Sequence, residues 1–181
     1  MGVEKLKDER HRLLFNVRRS VRYHSRRRQF FDRYRLFTSA MSAIFGSAAI
    51  ATVMSAAGKQ YTIAAAAAVT GLSIIDLVVG SARMARLHED LYRRFIQLEK
   101  EIVSIAEEGF SEEDLRRFTA SRLSIEADEP PVKRVLDSLC YNELVRAMGY
   151  SQEHFIRVRW YQRLFAQLVD IQQDRLAKRA A

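Results

Sequence analysis

The stretch Leu36–Ala82, LFTSAMSAIFGSAAIATVMSAAGKQYTIAAAAAVTGLSIIDLVVGSA, decides how the chain is read. Across its 47 residues the only charged side chains are Lys59 and Asp76, in a 181-residue protein that is 29% charged. The run divides at Gly58-Lys59-Gln60 into Leu36–Gly58, 23 uncharged residues, and Tyr61–Ala82, 22 residues with one acid. At about 1.5 Å per residue each would reach roughly 33 Å as a helix, against a hydrocarbon core of about 30 Å. Neither contains proline. A soluble helix of this length keeps a polar face toward water, and these offer no charged one. Two transmembrane helices joined by a tight turn are therefore expected. The competing reading is a buried Ala-rich hairpin of a soluble bundle, since 15 of the first 23 residues are Ala, Gly, Ser or Thr.

Working outward, the charge is segregated. Residues 1–35 hold twelve Lys/Arg and four Asp/Glu, a net of +8, and the other 146 residues hold 18 of each. The whole excess lies before the apolar run. Arg83, Arg86, Arg93 and Arg94 follow it, and the turn has only Lys59. The positive-inside rule then puts both termini in the cytoplasm. The apolar run begins too late, behind too charged a flank, for a cleavable signal peptide. A single cysteine, Cys140, excludes an internal disulfide and fits a reducing compartment. The expected organisation is a basic N-terminal helix (1–35), a two-helix membrane hairpin (36–82) and a cytoplasmic helical region (83–181). The fold class is all-α.

Small residues recur every four positions in the first segment, at Ser39, Ala43, Ser47, Ala51 and Ser55, with Ser42 and Gly46 beside them. Ala67 and Gly71 do the same in the second. Such spacing lets helix backbones approach closely in lipid, where packing drives association. Two helices cannot bury all these faces on each other, so a homo-oligomer, a tetramer or larger, is expected. Thr62, Ala66, Thr70, Ser73, Asp76 and Gly80 share one face and end in the one intramembrane acid. Thr70, Ser73 and Asp76 are candidate pore-lining residues, because an ionisable group at that depth faces protein or water. Pairing of Asp76 with Arg83, or snorkelling to the interface, is the alternative.

The leader has no Gly or Pro from Val3 to Phe45 and carries Leu14, Val17, Val21, Phe30, Phe31 and Tyr34 near one helical face. Its arginines suit three roles. They orient the hairpin and bind anionic lipid headgroups, at about 1 kcal/mol each. They match phosphate oxygens bidentately, and interleaved aromatics could stack bases. They could also pack against Glu107, Glu108, Glu112, Glu113 and Asp114. Arg19, Arg22, Tyr23, His24, Arg26, Arg27 and Arg28 are the candidate nucleotide or phosphate ligands. Duplex DNA is not an expected partner, because a helix beside a bilayer cannot readily enter a groove.

Ser20-Val21-Arg22-Tyr23-His24-Ser25-Arg26-Arg27-Arg28-Gln29-Phe30-Phe31-Asp32, directly before a two-helix hairpin, resembles the start of the SLATT family of bacterial two-transmembrane effector domains. Asp128-Glu129-Pro130-Pro131 and Cys140-Tyr141-Asn142-Glu143-Leu144-Val145-Arg146-Ala147 extend the resemblance. Tyr141 departs from the histidine often found there. The resemblance covers about residues 10 to 170. It implies an anti-phage, abortive-infection effector that opens a pore in, or disrupts, the bacterial inner membrane. It also implies control by a nucleotide or oligonucleotide signal, or by the nucleotidyltransferase-type enzyme that makes one. A non-conducting membrane anchor for a nucleotide-handling partner is the alternative.

Downstream, an apolar stripe of Leu87, Leu91, Phe95, Leu98, Ile102 and Ile105 is expected to carry the second helix about 40 Å into the cytosol, to Glu108. Ser111 with Asp114 resembles a capping box opening a helix to about Ile125. Ala127–Pro131 reads as a turn, with Pro131 in the first turn of a helix over Val132–Met148 that stops at Gly149. A last helix is expected from Ser151 to about Lys178, with Phe155, Val158, Tyr161, Phe165, Leu168 and Ile171 inward. No HExxH, GxSxG, P-loop or GxGxxG motif occurs, and His11, His24, His88 and His154 lack metal-ligand spacing. No catalysis, metal or cofactor is expected. His24 is expected to face Asp32 or Glu89 in a structural polar cluster, and Cys140 to be a small buried hydrophobe.

Overall fold

The computed structural model describes residues 2–54 and 59–171. Among these it is all-helical: α1 (Val3–Met54), α2 (Lys59–Val79), α3 (Ser81–Ser104), α4 (Glu112–Glu126), α5 (Arg134–Ala147) and the short α6 (Trp160–Phe165). No β-strand forms among the described residues. The chain divides into two compact units, Arg27–Leu87 and the remainder.

In the Arg27–Leu87 unit, Phe31, Thr38, Ala65, Ser81 and Ala85 are buried. The Arg27 guanidinium, itself buried, lies over the Phe31 ring at 4.6 Å and Phe30 at 5.7 Å. Between Leu36 and Val79 the exposed surface is strongly apolar, with exposed Arg33, Arg35, Arg83 and Arg86 flanking it. On α1, Ile44, Ile50 and Val53 are exposed; on α2, so are Ile63, Ile74, Ile75, Leu77 and Val78, the last two at 82% and 80%. Monomeric soluble proteins rarely expose apolar patches of that extent. Gln60–Ser104 holds a stretch long and apolar enough to cross a membrane, by length and composition. Positions 55–58 of the Leu36–Gly58 stretch lie outside the described residues, and among the described residues Gln60–Ser104 is the one helix that meets this description.

The expected unbroken passage from the second segment to Glu108 is corrected at both ends. Gly80 adopts φ +61°, left-handed backbone that suits a residue without Cβ, and separates α2 from α3. Hydrogen bonding nonetheless continues across it: Gly80 N–H donates to the Asp76 carbonyl and Met84 N–H to the Gly80 carbonyl, both at 2.9 Å. Helix α3 then ends at Ser104, and a 3₁₀ turn occupies Glu107–Gly109.

In the other unit the basic leader lies along α3, and side-chain contacts fix an antiparallel register. Arg10 donates to the carbonyls of Ile102 (3.4 Å) and Ile105 (3.0 Å), Arg18 bonds Glu99 at 2.7 Å, and His24 meets His88 and Phe95. Arg10 thus satisfies carbonyls at the C-terminal end of α3, where orphan acceptors and the helix dipole favour a cation. The buried positions of α3 in this unit are His88, Leu91, Phe95, Leu98 and Ile102, at helical spacing. Opposite them Leu13, Leu14 and Val17 of α1 are buried. Helix α5 adds Val135, Leu136, Cys140, Leu144 and Val145, and Tyr23 joins the cluster around Val135, Leu136 and Cys140.

The Ser111–Asp114 capping box is present and α4 runs to Glu126. Helix α5 stops in a Schellman arrangement, with Gly149 at φ +76°, Gly149 N–H donating to Arg146 and Tyr150 N–H to Val145, each at 3.1 Å. Its start is corrected: the cap position is Lys133, so Pro131 precedes the helix. The N-terminus is closed from afar by Asp170, whose carboxylate accepts from Arg134 N–H (3.0 Å) and Val135 N–H (3.1 Å).

The expected long last helix from Ser151 is also corrected. A 3₁₀ turn at Gln152–His154 is followed by extended chain and then α6. The Asn142 amide holds Ile156 through two 2.7 Å bonds, donating to its carbonyl and accepting from its N–H. Those backbone groups are thereby withdrawn from any helical ladder. The inward set changes accordingly: Val158 is buried, but Gln162 and Ala166 are buried while Phe165 and Leu168 are exposed. The expected end at Lys178 lies outside the described residues.

Asp170→Ala removes a charged helix cap and should lower unfolding stability by about 1 kcal/mol, read by urea titration of the purified protein. Asp170→Asn should recover part of that loss.

Candidate functional site

The motif Tyr23-His24 is a buried node, with both side chains nearly inaccessible. Tyr23 Oη accepts from Lys133 N–H at 2.9 Å, pinning the segment before α5. The His24 ring stacks on Phe95 with centroids 5.5 Å apart and planes at 11°. Its Nδ1 meets His88 Nδ1 at 2.9 Å, and its Nε2 meets Glu129 Oε1 at 3.1 Å. The carboxylate can only accept, so Nε2 carries the hydrogen; with neutral rings, His88 Nδ1–H then donates to His24 Nδ1. His24 therefore bonds His88 and Glu129, where the sequence pointed to Asp32 or Glu89. Asp32 instead pairs with Arg28 at 3.5 Å, and Glu89 with Arg93 at 2.6 Å.

Most of the other leader arginines are held by acids of the same fold. Arg19 pairs with Asp137 at 3.2 Å, Arg26 with Glu143, and Arg22 donates to the Arg18 carbonyl at 3.2 Å. Together with Arg18–Glu99, these contacts show which acids the leader uses. Of the acids expected opposite it, Glu107 pairs with Lys7 at 3.2 Å, while Asp114 caps α4 and binds Arg117. Burial raises the Asp137 carboxyl above its ordinary range, against the opposing pull of Arg19.

Thr70 Oγ1 donates to the Ala66 carbonyl and Ser73 Oγ to Val69, both at 2.9 Å and both exposed on α2. Asp76 accepts from Ser81 Oγ at 2.5 Å. The three expected pore-lining residues thus share a helix face, and each has a partner within the same chain. Among the described residues no cluster of His, Cys, Asp or Glu suits a metal ion.

Sequence reasoning did not single out His88, Asn142, Arg146, Arg157 or Arg163 as site residues. His88 stood one position from the expected Leu87 stripe, and its spacing to Leu91 and Phe95 was the available signal. Asn142 and Arg146 lay inside a motif quoted only for resemblance. Searches of family models, curated proteins and solved structures find no match to the chain.

His24→Ala should leave a cavity and strip a partner from both His88 and Glu129, lowering stability by on the order of 3 kcal/mol in a denaturant titration. Cys140 is buried, and its thiol is pushed up to about 12, chiefly by burial. The fold favours the neutral thiol, so this contribution is intact below pH 9.0 and is lost as pH rises toward about 12. At pH 8 an aromatic disulfide reagent should leave the native thiol unmodified and label it rapidly in urea.

Proposed function

We propose that the chain is a membrane effector whose hairpin assembles in the inner membrane of a bacterium and opens a pore, or breaches the bilayer, under a nucleotide-derived signal. The observation that carries this reading is the apolar surface of α2, exposed from Ile63 to Val78 and followed by Arg83, Arg86, Arg93 and Arg94. That surface needs lipid or another copy of the chain, and flanking arginines together with those of the leader orient both termini to the cytoplasm. Pairing α2 with the Leu36–Gly58 stretch gives the two-span hairpin, and its small-residue spacing supports self-association. The anti-phage setting and the nucleotide signal rest on the resemblance to the SLATT family.

One observation favours the second reading, a non-conducting anchor for a nucleotide-handling partner. The hydroxyls of Thr70 and Ser73 and the carboxylate of Asp76 are bonded within the subunit, so this polar stripe does not require a water-filled lumen.

Induced expression with a membrane-potential dye separates the two. A pore predicts depolarisation that Asp76→Asn alters in rate or ion selectivity; cells that stay polarised while the protein is active indicate the anchor. Native mass spectrometry should show a discrete multimer, and a monomer would remove the pore.

A further inference from the structure

We propose that a cleft beside α5, lined mostly by residues far in sequence from the leader motif, binds a small, multiply charged phosphate compound. The cleft encloses about 530 Å³, within the range of roughly 300–1,000 Å³ of small-molecule sites. Arg26, Arg146, Arg157 and Arg163 line it, with Glu143 the one acid among its described lining residues. Glu143 is already paired with Arg26, which leaves three guanidinium groups without an acidic partner among the described residues.

The local fold builds this arrangement. Asn142 clamps the Ile156 backbone on both its donor and acceptor sides, fixing the extended segment against α5. Ile156 and Val158 pack toward the core around Tyr23 and Leu136. Alternation along extended chain then turns Phe155 and Arg157 away from that core. Arg146 is held over the Phe155 ring at 5.4 Å, which orders its guanidinium without neutralising it. Arg163 comes from α6, which opens with Arg159 N–H donating to Gln162 Oε1 at 2.9 Å. Three elements therefore bring positive charge to one concave site.

Guanidinium forks match phosphate oxygens bidentately, and three unneutralised cations call for a ligand with several negative charges. A pyrophosphate-containing compound meets that need; a monoanion does not. The cleft's small concave form suits a compact ligand rather than a nucleic-acid helix. Such a site deepens the nucleotide-control reading and places the phosphates beside α5, with Arg26 the one leader arginine that reaches them. It does not depend on pore formation.

The test uses the full-length protein in phosphatidylcholine nanodiscs, titrated calorimetrically with inorganic pyrophosphate and with ATP. Wild-type protein should bind both. Arg157→Ala and Arg163→Ala should each weaken binding about tenfold, the loss of one charge-assisted contact. The double variant should lose about a hundredfold with its thermal midpoint unchanged, while Arg12→Ala, outside the cleft, should bind normally. Absence of pyrophosphate binding, or equal affinity in the double variant, overturns the proposal. Nanodiscs containing phosphatidylglycerol identify the source of the phosphate. Weakened pyrophosphate binding there means that a lipid headgroup occupies the cleft; unchanged binding means that the ligand is soluble. A negative depolarisation experiment leaves this titration intact, and a negative titration leaves the pore reading to stand or fall by itself.

Discussion

The contact on which the helical unit outside Arg27–Leu87 depends is the buried meeting of His24 with His88. Two buried imidazoles meet with their Nδ1 atoms 2.9 Å apart, and a buried polar group left without a hydrogen bond is costly. Glu129 sets the direction of that bond, and Phe95 covers the ring. The adjacent Tyr23 takes the backbone N–H of Lys133. One dipeptide of the leader therefore ties α1 to α3, to the turn after α4 and to the start of α5. The register of the whole leader follows, from Arg10 at the end of α3 to Arg26 at Glu143.

This changes what the arginine cluster can be used for. A run of guanidinium groups reads in sequence as a single basic surface. In the fold, Arg18, Arg19 and Arg26 are each matched to a carboxylate on α3 or α5, and Arg27 is buried over aromatic rings. Breaking such partly buried pairs leaves a charge uncompensated, so they serve the packing of the leader before they serve any ligand. Unneutralised positive charge collects instead at Arg146, Arg157 and Arg163, which line one cleft beside α5.

The apolar unit obeys a different constraint. On α2 there is almost no charge with which to face water, and its hydroxyls turn back to their own helix's carbonyls. A helix built in this way satisfies its polar groups internally, the condition that a hydrocarbon environment imposes. Gly80 then interrupts the helix just where charged residues begin, and Ser81 bonds Asp76 across the interruption.

Helical content, the Ser111 cap and the Gly149 stop were legible from sequence, because each depends on residues within a turn or two of one another, and the burial of Cys140 was legible from the apolar residues around it. The apolar character of Tyr61–Val79 was legible for the same reason: composition over one helix length decides it. The partners of His24, the capping of α5 by Asp170, the clamp of Asn142 on Ile156 and the replacement of a long last helix by extended chain were not. Each joins groups well separated along the chain, and the competing local signals were satisfied by more than one arrangement. The chain's own pattern thus determined most of the helical segments before α6 and the stretch that carries almost no charge. Only the tertiary structure decided which charges neutralise one another and which remain open to a ligand, because that depends on distances which no local spacing encodes.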